Sequence, residues 1–218
     1  MIRIHVRRKT FGATEILRDI RLSIAPGERI AILGPSGVGK STLLRIVAGV
    51  DTRYEGEVER PADVAIVFQE PTLLRWRSVL DNLLLTHRGL SREAALSMLE
   101  RVGLGAKAGL FPGQLSLGQQ RRVALARAFA GRPELLVMDE PYASLDPATA
   151  DEMLSLTEEL LDLVRPTLLL VTHARSEAER LGQRILRLEG SPATLVDDAP
   201  PEGRAAEGLS PPSPPSRS

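Results

Sequence analysis

GPSGVGKS, from Gly34 to Ser41, follows directly on the apolar run Ile30-Ala31-Ile32-Leu33, and that junction decides how the chain folds. A strand that stops at a glycine-rich turn and restarts as a helix leaves the first helical N–H groups unpaired and facing the turn. The pattern G-x-x-x-x-G-K-[ST] uses glycines to curl backbone amides around phosphate oxygens, a lysine for the terminal phosphates and a hydroxyl for Mg²⁺. Gly34, Pro35, Ser36, Gly37, Val38, Gly39, Lys40, Ser41 and Thr42 are therefore the expected nucleotide-binding residues. The loop alone implies a nucleotide and not yet a function.

Outward from the loop, Pro26-Gly27 marks a turn before the feeding strand Glu28 to Leu33. The helix that opens near Gly39 buries one face through Leu43, Leu44, Ile46 and Val47 and stops around Gly49. Ile2 to Val6 and Leu17 to Ile24 alternate as strands do. Val64 to Phe68 reads as a short buried strand ending at Gln69. Val79 to Leu85 and Arg92 to Val102 read as helices of an insert covering about residues 70–130, and Ser116 begins another helix. Leu135 to Met138, Thr167 to Thr172 and Ile185 to Leu188 are β-rich runs alternating with helical stretches at Ala148 to Val164 and Ser176 to Leu181. That order predicts an α/β domain over residues 1–190, with a mainly parallel sheet covered by helices. Ligands collect at the carboxyl ends of such strands, where Gly34, Gln69, Asp139 and His173 all fall.

Composition narrows the function further. Lys plus Arg and Asp plus Glu balance at 28 each, so net charge gives no reason to expect nucleic acid as a partner. Arg7-Arg8-Lys9 and Arg121-Arg122 read as solvated faces. No apolar run approaches the ~20 residues that cross a bilayer, and the first residues lack the apolar stretch of a signal peptide, so a cytosolic location is expected. Cysteine is absent and His5, His87 and His173 are dispersed, which leaves Mg²⁺ arriving with nucleotide as the expected metal. From about Ser191 to Ser218 the chain is rich in proline and poor in apolar side chains, and a disordered tail is expected there.

Phosphoryl transfer needs a cradle, a metal and a means of aiming water more than it needs covalent help. Asp139 and Glu140 close an apolar strand, which aims them at the phosphate site. Asp139 with Ser41 is expected to hold Mg²⁺, and Glu140 to take a proton from the attacking water. Ser116-Leu117-Gly118-Gln119 fits a capping box, so its helix presents an N-terminus to an anion.

The ordered series of P-loop, Gln69, LSLGQQ at Leu115 to Gln120, LLVMDEP, Ser144-Leu145-Asp146 and His173 resembles the ATPase subunit of ABC transporters over residues 2 to about 190. The resemblance implies the ABC ATPase variant of the P-loop NTPase fold, with an antiparallel β subdomain and a helical insert. It also implies ATP as the nucleotide, with Phe11 stacking on adenine and Gln69 sensing the γ-phosphate through Mg²⁺ or the lytic water. His173 would contact the γ-phosphate and Glu140. Ser116, Gly118 and Gln119 would meet the ATP held by a second, identical subunit, and Asp146 would couple the two sites. Leu117 stands where the family usually has a glycine; a leucine side chain packed against the helical insert would be tolerated.

Phe68 to Asn82, FQEPTLLRWRSVLDN, resembles importer ATPases for nitrate, sulfonate or taurine, in which Leu-Leu-x-Trp-Arg is common. The implied partners are separate transmembrane permease subunits, docked near Gln69 to Asn82, and an extracytoplasmic solute-binding protein. The implied location is the cytoplasmic face of the membrane. A non-transport ABC ATPase acting as a mechanical switch, or a low-turnover nucleotide-binding regulator, are the alternatives.

Overall fold

In the computed structural model, which describes residues 1–87 and 89–198, nine strands form one sheet in the order β4-β1-β2-β9-β8-β3-β7-β6-β5. At one end β1 (Ile2–Phe11) pairs antiparallel with both β2 (Thr14–Ile24) and β4 (Glu55–Glu59). At the other, β3 (Arg29–Leu33), β5 (Val64–Val67), β6 (Leu135–Asp139), β7 (Thr167–Thr172) and β8 (Arg184–Gly190) run parallel. Register sets Leu33 opposite Thr172, Asp139 opposite Val171 and Val67 opposite Met138. The residues that follow Leu33, Val67, Asp139 and Thr172 therefore emerge together along one edge.

The parallel strands are apolar on both faces because helices cover both. Side chains alternate across a strand, so Leu135 and Val137 of β6 face α1 (Lys40–Val47), while Leu136 and Met138 face the opposite layer. That layer holds α2 (Val79–Leu84), α3 (Arg92–Arg101), α4 (Leu117–Ala130), α5 (Pro147–Val164) and α6 (Arg175–Leu181). Ser78, Ser91, Ser116 and Asp146 each accept a backbone N–H at a helix start, which satisfies a donor the helix cannot pair itself.

Four sequence expectations are corrected. β4, EGEVE, was not expected, because its glutamates and glycine carry no strand propensity; it forms as an exposed edge, held by ladder bonds to β1. The chain also does not leave the fold at Ser191. β9 (Ala193–Asp197) returns antiparallel to β8, with Leu188 opposite Leu195, and Ala193 pairs with Leu17 of β2. Residues 199–218, most of the proline-rich stretch, lie outside the described residues. Finally, two supposedly solvated cations are buried: Lys9 is 2% exposed and Arg121 8%. A register shift between Val6 and Arg8 moves the buried phase of β1 from Ile2, Ile4 and Val6 onto Lys9.

Candidate nucleotide site

The strand-to-helix junction is built as a cradle. Gly39 precedes α1 at φ 114°, a left-handed conformation that favours glycine, and no side chain caps the helix. The first α1 amides are thus left for a ligand. A Cβ on Gly34 would meet the Leu188 carbonyl at 2.6 Å, so the loop hugs β8 at its start. Lys40 is buried, and its Nζ donates to the carbonyls of Gly34 at 2.8 Å and Pro35 at 2.9 Å. Val38 packs into the core beside α1.

A cavity of about 480 Å³ opens over this cradle, walled by Phe11, Ser36, Lys40, Thr42, Gln69 and Glu140 among others. Phe11 is 55% exposed and presents its ring to that space. Ser41 Oγ donates to Asp139 Oδ1 at 2.9 Å, joining α1 to the end of β6. Gln69 is on the cavity wall, yet no hydrogen bond joins it to Ser41 or Asp139 among the described residues.

Glu140 is the hub of the charged groups. Its Oε1 lies 3.0 Å from Lys40 Nζ and its Oε2 3.2 Å from His173 Nδ1. The backbone there has φ 44°, unusual for a residue with a Cβ, and the strain turns its side chain off the axis of β6 into the cavity. Burial alone would raise its pKa, but the hydrogen bonds and charges of Lys40 and His173 outweigh it and hold the carboxylate below its ordinary value. Asp139 goes the other way: burial raises its pKa despite the hydroxyl of Ser41, with the Glu140 charge adding to the rise.

Ser116, Gly118, Gln119 and Asp146 converge elsewhere. They wall a second cavity of about 580 Å³ that shares no lining residue with the first. Ser116 Oγ accepts the Gln119 amide at 3.3 Å, and Gln119 Oε1 accepts the Ser116 amide at 3.2 Å, the expected capping box. Asp146 Oδ1 accepts the Thr149 amide at 3.1 Å, and its pKa is lowered by the Thr149 side chain and, after it, by that amide. Leu117 does not pack against the helical insert: it is the first residue of α4, has no left-handed backbone, and its side chain is 54% exposed.

A third space, a groove of about 760 Å³, runs from Gln69 and Leu73 past Phe111 to Leu117 and Arg121. Gln69 belongs to both this groove and the P-loop cavity. Trp76, 71% exposed, lies in the same segment. The sequence reading missed Lys9, Arg121 and the Thr172 hydroxyl, which donates to Glu177 behind His173. Only a charge in phase with a buried strand face could have betrayed Lys9, and the shift in β1 hid that phase.

A phosphate cradle at a strand-to-helix junction, with an acid pair at the next strand but one, defines a P-loop nucleotide-binding protein. Comparisons with known proteins sharpen this. The ABC transporter family model matches residues 17–143. The aliphatic sulfonates import ATP-binding protein SsuB 1 of Paracoccus denitrificans is 46% identical over 193 residues, covering 85% of this chain and 78% of that protein. SsuB 3 of Pseudomonas syringae pv. tomato is 43% identical over 213 residues, covering 93% and 79%. SsuB 1 of Paraburkholderia xenovorans is 45% identical over 210 residues; the alignment takes in 92% of this chain and only 62% of that relative's length. Among solved structures, the ATP-binding cassette MJ0796, a dimer in a post-hydrolysis state bound to ADP and Pi, superposes with a TM-score of 0.72 at 30% identity, covering 87% of this chain and 94% of that one. The chain belongs to the ABC transporter family and has the fold of its ATP-binding cassettes.

Proposed function

We propose that this cassette binds and hydrolyses ATP between two copies of itself and so powers a membrane importer. The observation that carries the reading is the placement of Glu140, which touches Lys40 and His173 at the carboxyl edge of the sheet. ATP binds with its phosphates over Gly34 to Thr42 and its base against Phe11. Glu140 accepts the proton of the attacking water, and Lys40, released from Glu140 by an incoming γ-phosphate, neutralises phosphate charge. His173 then holds Glu140 in line.

Ser41 and Asp139 bring two hard oxygen donors to within 2.9 Å of each other, a set that suits Mg²⁺ completed by phosphate oxygens, water and Gln69. Burial raises the pKa of Asp139, and a cation beside it would favour its charged form. When bound, the ion adds charge neutralisation at the phosphates.

The Ser116 and Asp146 cavity shares no lining residue with the P-loop cavity of the same chain, which supports a γ-phosphate brought to it by a second copy packed head to tail. Dimers of the MJ0796 cassette support that pairing. Gln69, on the wall of both the ATP cavity and the groove that runs past Phe111, links nucleotide state to whatever docks in that groove. The relatives are described as import proteins for aliphatic sulfonates, which supports a permease as the docked partner and a sulfonate as the solute, delivered by an extracytoplasmic binding protein. No described helix is long and apolar enough to cross a membrane, so the cassette would sit on the cytoplasmic face through that partner. The test is to co-purify the chain with candidate permease subunits in lipid and measure ATPase activity with and without binding protein and an alkanesulfonate. Stimulation by the alkanesulfonate and not by nitrate or sulfate is the expected result; failure to co-purify would remove the transport role.

A further inference from the structure

Lys9 holds an ammonium almost out of water, two residues before the exposed Phe11 ring. Its Nζ donates to the Arg53 carbonyl at 2.7 Å, pairs with Asp51 Oδ2 at 2.6 Å and lies 4.6 Å from the centroid of Phe11. An ammonium has three N–H donors. A carbonyl and a carboxylate take two, and the third is left for the ring face. The hydrogen bond from Lys9 lowers the pKa of Asp51, against the effect of burial, which fits a pair that stays charged. Asp51 is tied in turn to α1, since its amide and that of Val50 both donate to the Arg45 carbonyl. The far end of the helix that builds the phosphate cradle thus fixes the ammonium beneath Phe11.

We propose that Lys9 is a positioning residue for the purine, clamping one face of Phe11 so that the other is offered to the base as a preset platform. The proposal rests on the reading of Phe11 as the base contact. Without the clamp an exposed phenylalanine must be ordered by the ligand, which costs affinity. The cation also withdraws charge from the ring's negative face, which lowers its repulsion for the π-cloud of a purine on the far side. A purely structural Lys9 would only pin the Asp51 to Arg53 segment to β1.

The two roles separate in a comparison of ATP with inorganic tripolyphosphate, which carries the phosphates without a base. Titration calorimetry on the full chain should show Lys9→Met and Lys9→Gln weakening ATP by ~3- to 10-fold, the scale of ordering one side chain on binding, while tripolyphosphate binds as before. In a Phe11→Ala background, Lys9→Met should cost ATP nothing more. Lys9→Gln keeps amide donors for Arg53 and Asp51, and carries the test if Lys9→Met does not fold. Equal weakening of both ligands, or of neither, overturns the proposal. Phe11→Ala with unchanged ATP affinity would instead sink the reading of Phe11 on which it rests.

Discussion

The P-loop cavity and the Ser116 cavity, proposed above as halves of one chemistry, are built in opposite ways. Around the P-loop every charged side chain already has a partner: Lys40 with Glu140, Ser41 with Asp139, Glu140 with His173. Around Ser116 the Ser116 hydroxyl and the Asp146 carboxylate cap their own helices, Arg122 pairs with Glu152 of α5, and the wall is finished by an exposed leucine. The first half is preorganised by the fold that carries it. The second has a capped helix N-terminus and one cation, Arg122, already paired with Glu152, and in the proposed reading its ligand is brought by another molecule. A site split like this can use nucleotide binding to close two copies and hydrolysis to part them.

The sharpest way to break the comparison is Glu140→Gln. If the first half carries the chemistry, turnover should fall by ~10²- to 10⁴-fold, the worth of a positioned base, while ATP binding and an ATP-stabilised dimer persist. Steady-state ATPase rates with size-exclusion chromatography in ATP check both; near wild-type turnover removes Glu140 from the role.

Lys40→Ala attacks the cradle instead of the chemistry. Truncating one member of a buried charge pair costs about 2–5 kcal/mol, so ATP affinity should drop ~30-fold or more in a fluorescence titration. Unchanged affinity would show that the amides of Gly34 to Thr42 hold the phosphates alone.

Ser116→Ala tests the other half. The isolated chain should bind ATP as before, because the two cavities share no lining residue. Turnover of the assembled dimer should fall by ~10-fold or more as a donor aimed at developing charge is lost, and stability by about 1 kcal/mol as the helix loses its cap. A loss of ATP affinity in the monomer would mean the halves are not independent.

A smaller effect separates the two acids. Asp139, its pKa raised by burial, binds a proton more readily folded than unfolded, so it weakens the fold at neutral pH and the penalty recedes as pH falls through its raised value. Glu140 is opposite. Its lowered pKa contributes stability above the ordinary value of 4.5, lost as pH falls through the folded value. Asp139→Asn keeps an oxygen for Ser41 and should raise the neutral-pH melting midpoint by about 2–4 °C, the usual shift per ~1 kcal/mol in a domain of this size, while reducing turnover. A lower midpoint would refute the burial penalty.

How far the sequence reached follows the same division. The parallel strands were readable because apolar runs ending in Gly34, Gln69, Asp139 and His173 each pair a core pattern with a polar stop. Local caps such as Ser116 and Gln119 were readable because both partners lie within one turn. What stayed hidden depends on distant pairing. β4 is a strand only because β1 offers it a ladder, and β9 because β8 does. Lys9 is buried only because β1 shifts register, and the strained Glu140 backbone has no signature in residue type.

Leu117 offers the mildest probe, at the border where the Ser116 cavity meets the groove that runs past Phe111. The usual glycine at this position would matter if the backbone needed φ above zero, but the leucine has ordinary helical geometry, so nothing in its conformation opposes it. Nor does it anchor the insert, because more than half of its surface is open. Leu117→Gly should therefore cost at most about 1 kcal/mol of stability through helix propensity, and change dimer turnover by less than ~3-fold. The one way the side chain could matter is by holding the Ser116 and Gly118 donors off an incoming γ-phosphate when a second copy closes. In that case removing it would speed the reaction. A gain of ~10-fold or more, about 1.4 kcal/mol of barrier, in steady-state ATPase of the assembled complex would show that the open half of the site is throttled by this residue. The exposed, unstrained leucine favours the smaller change, with both halves of the site competent.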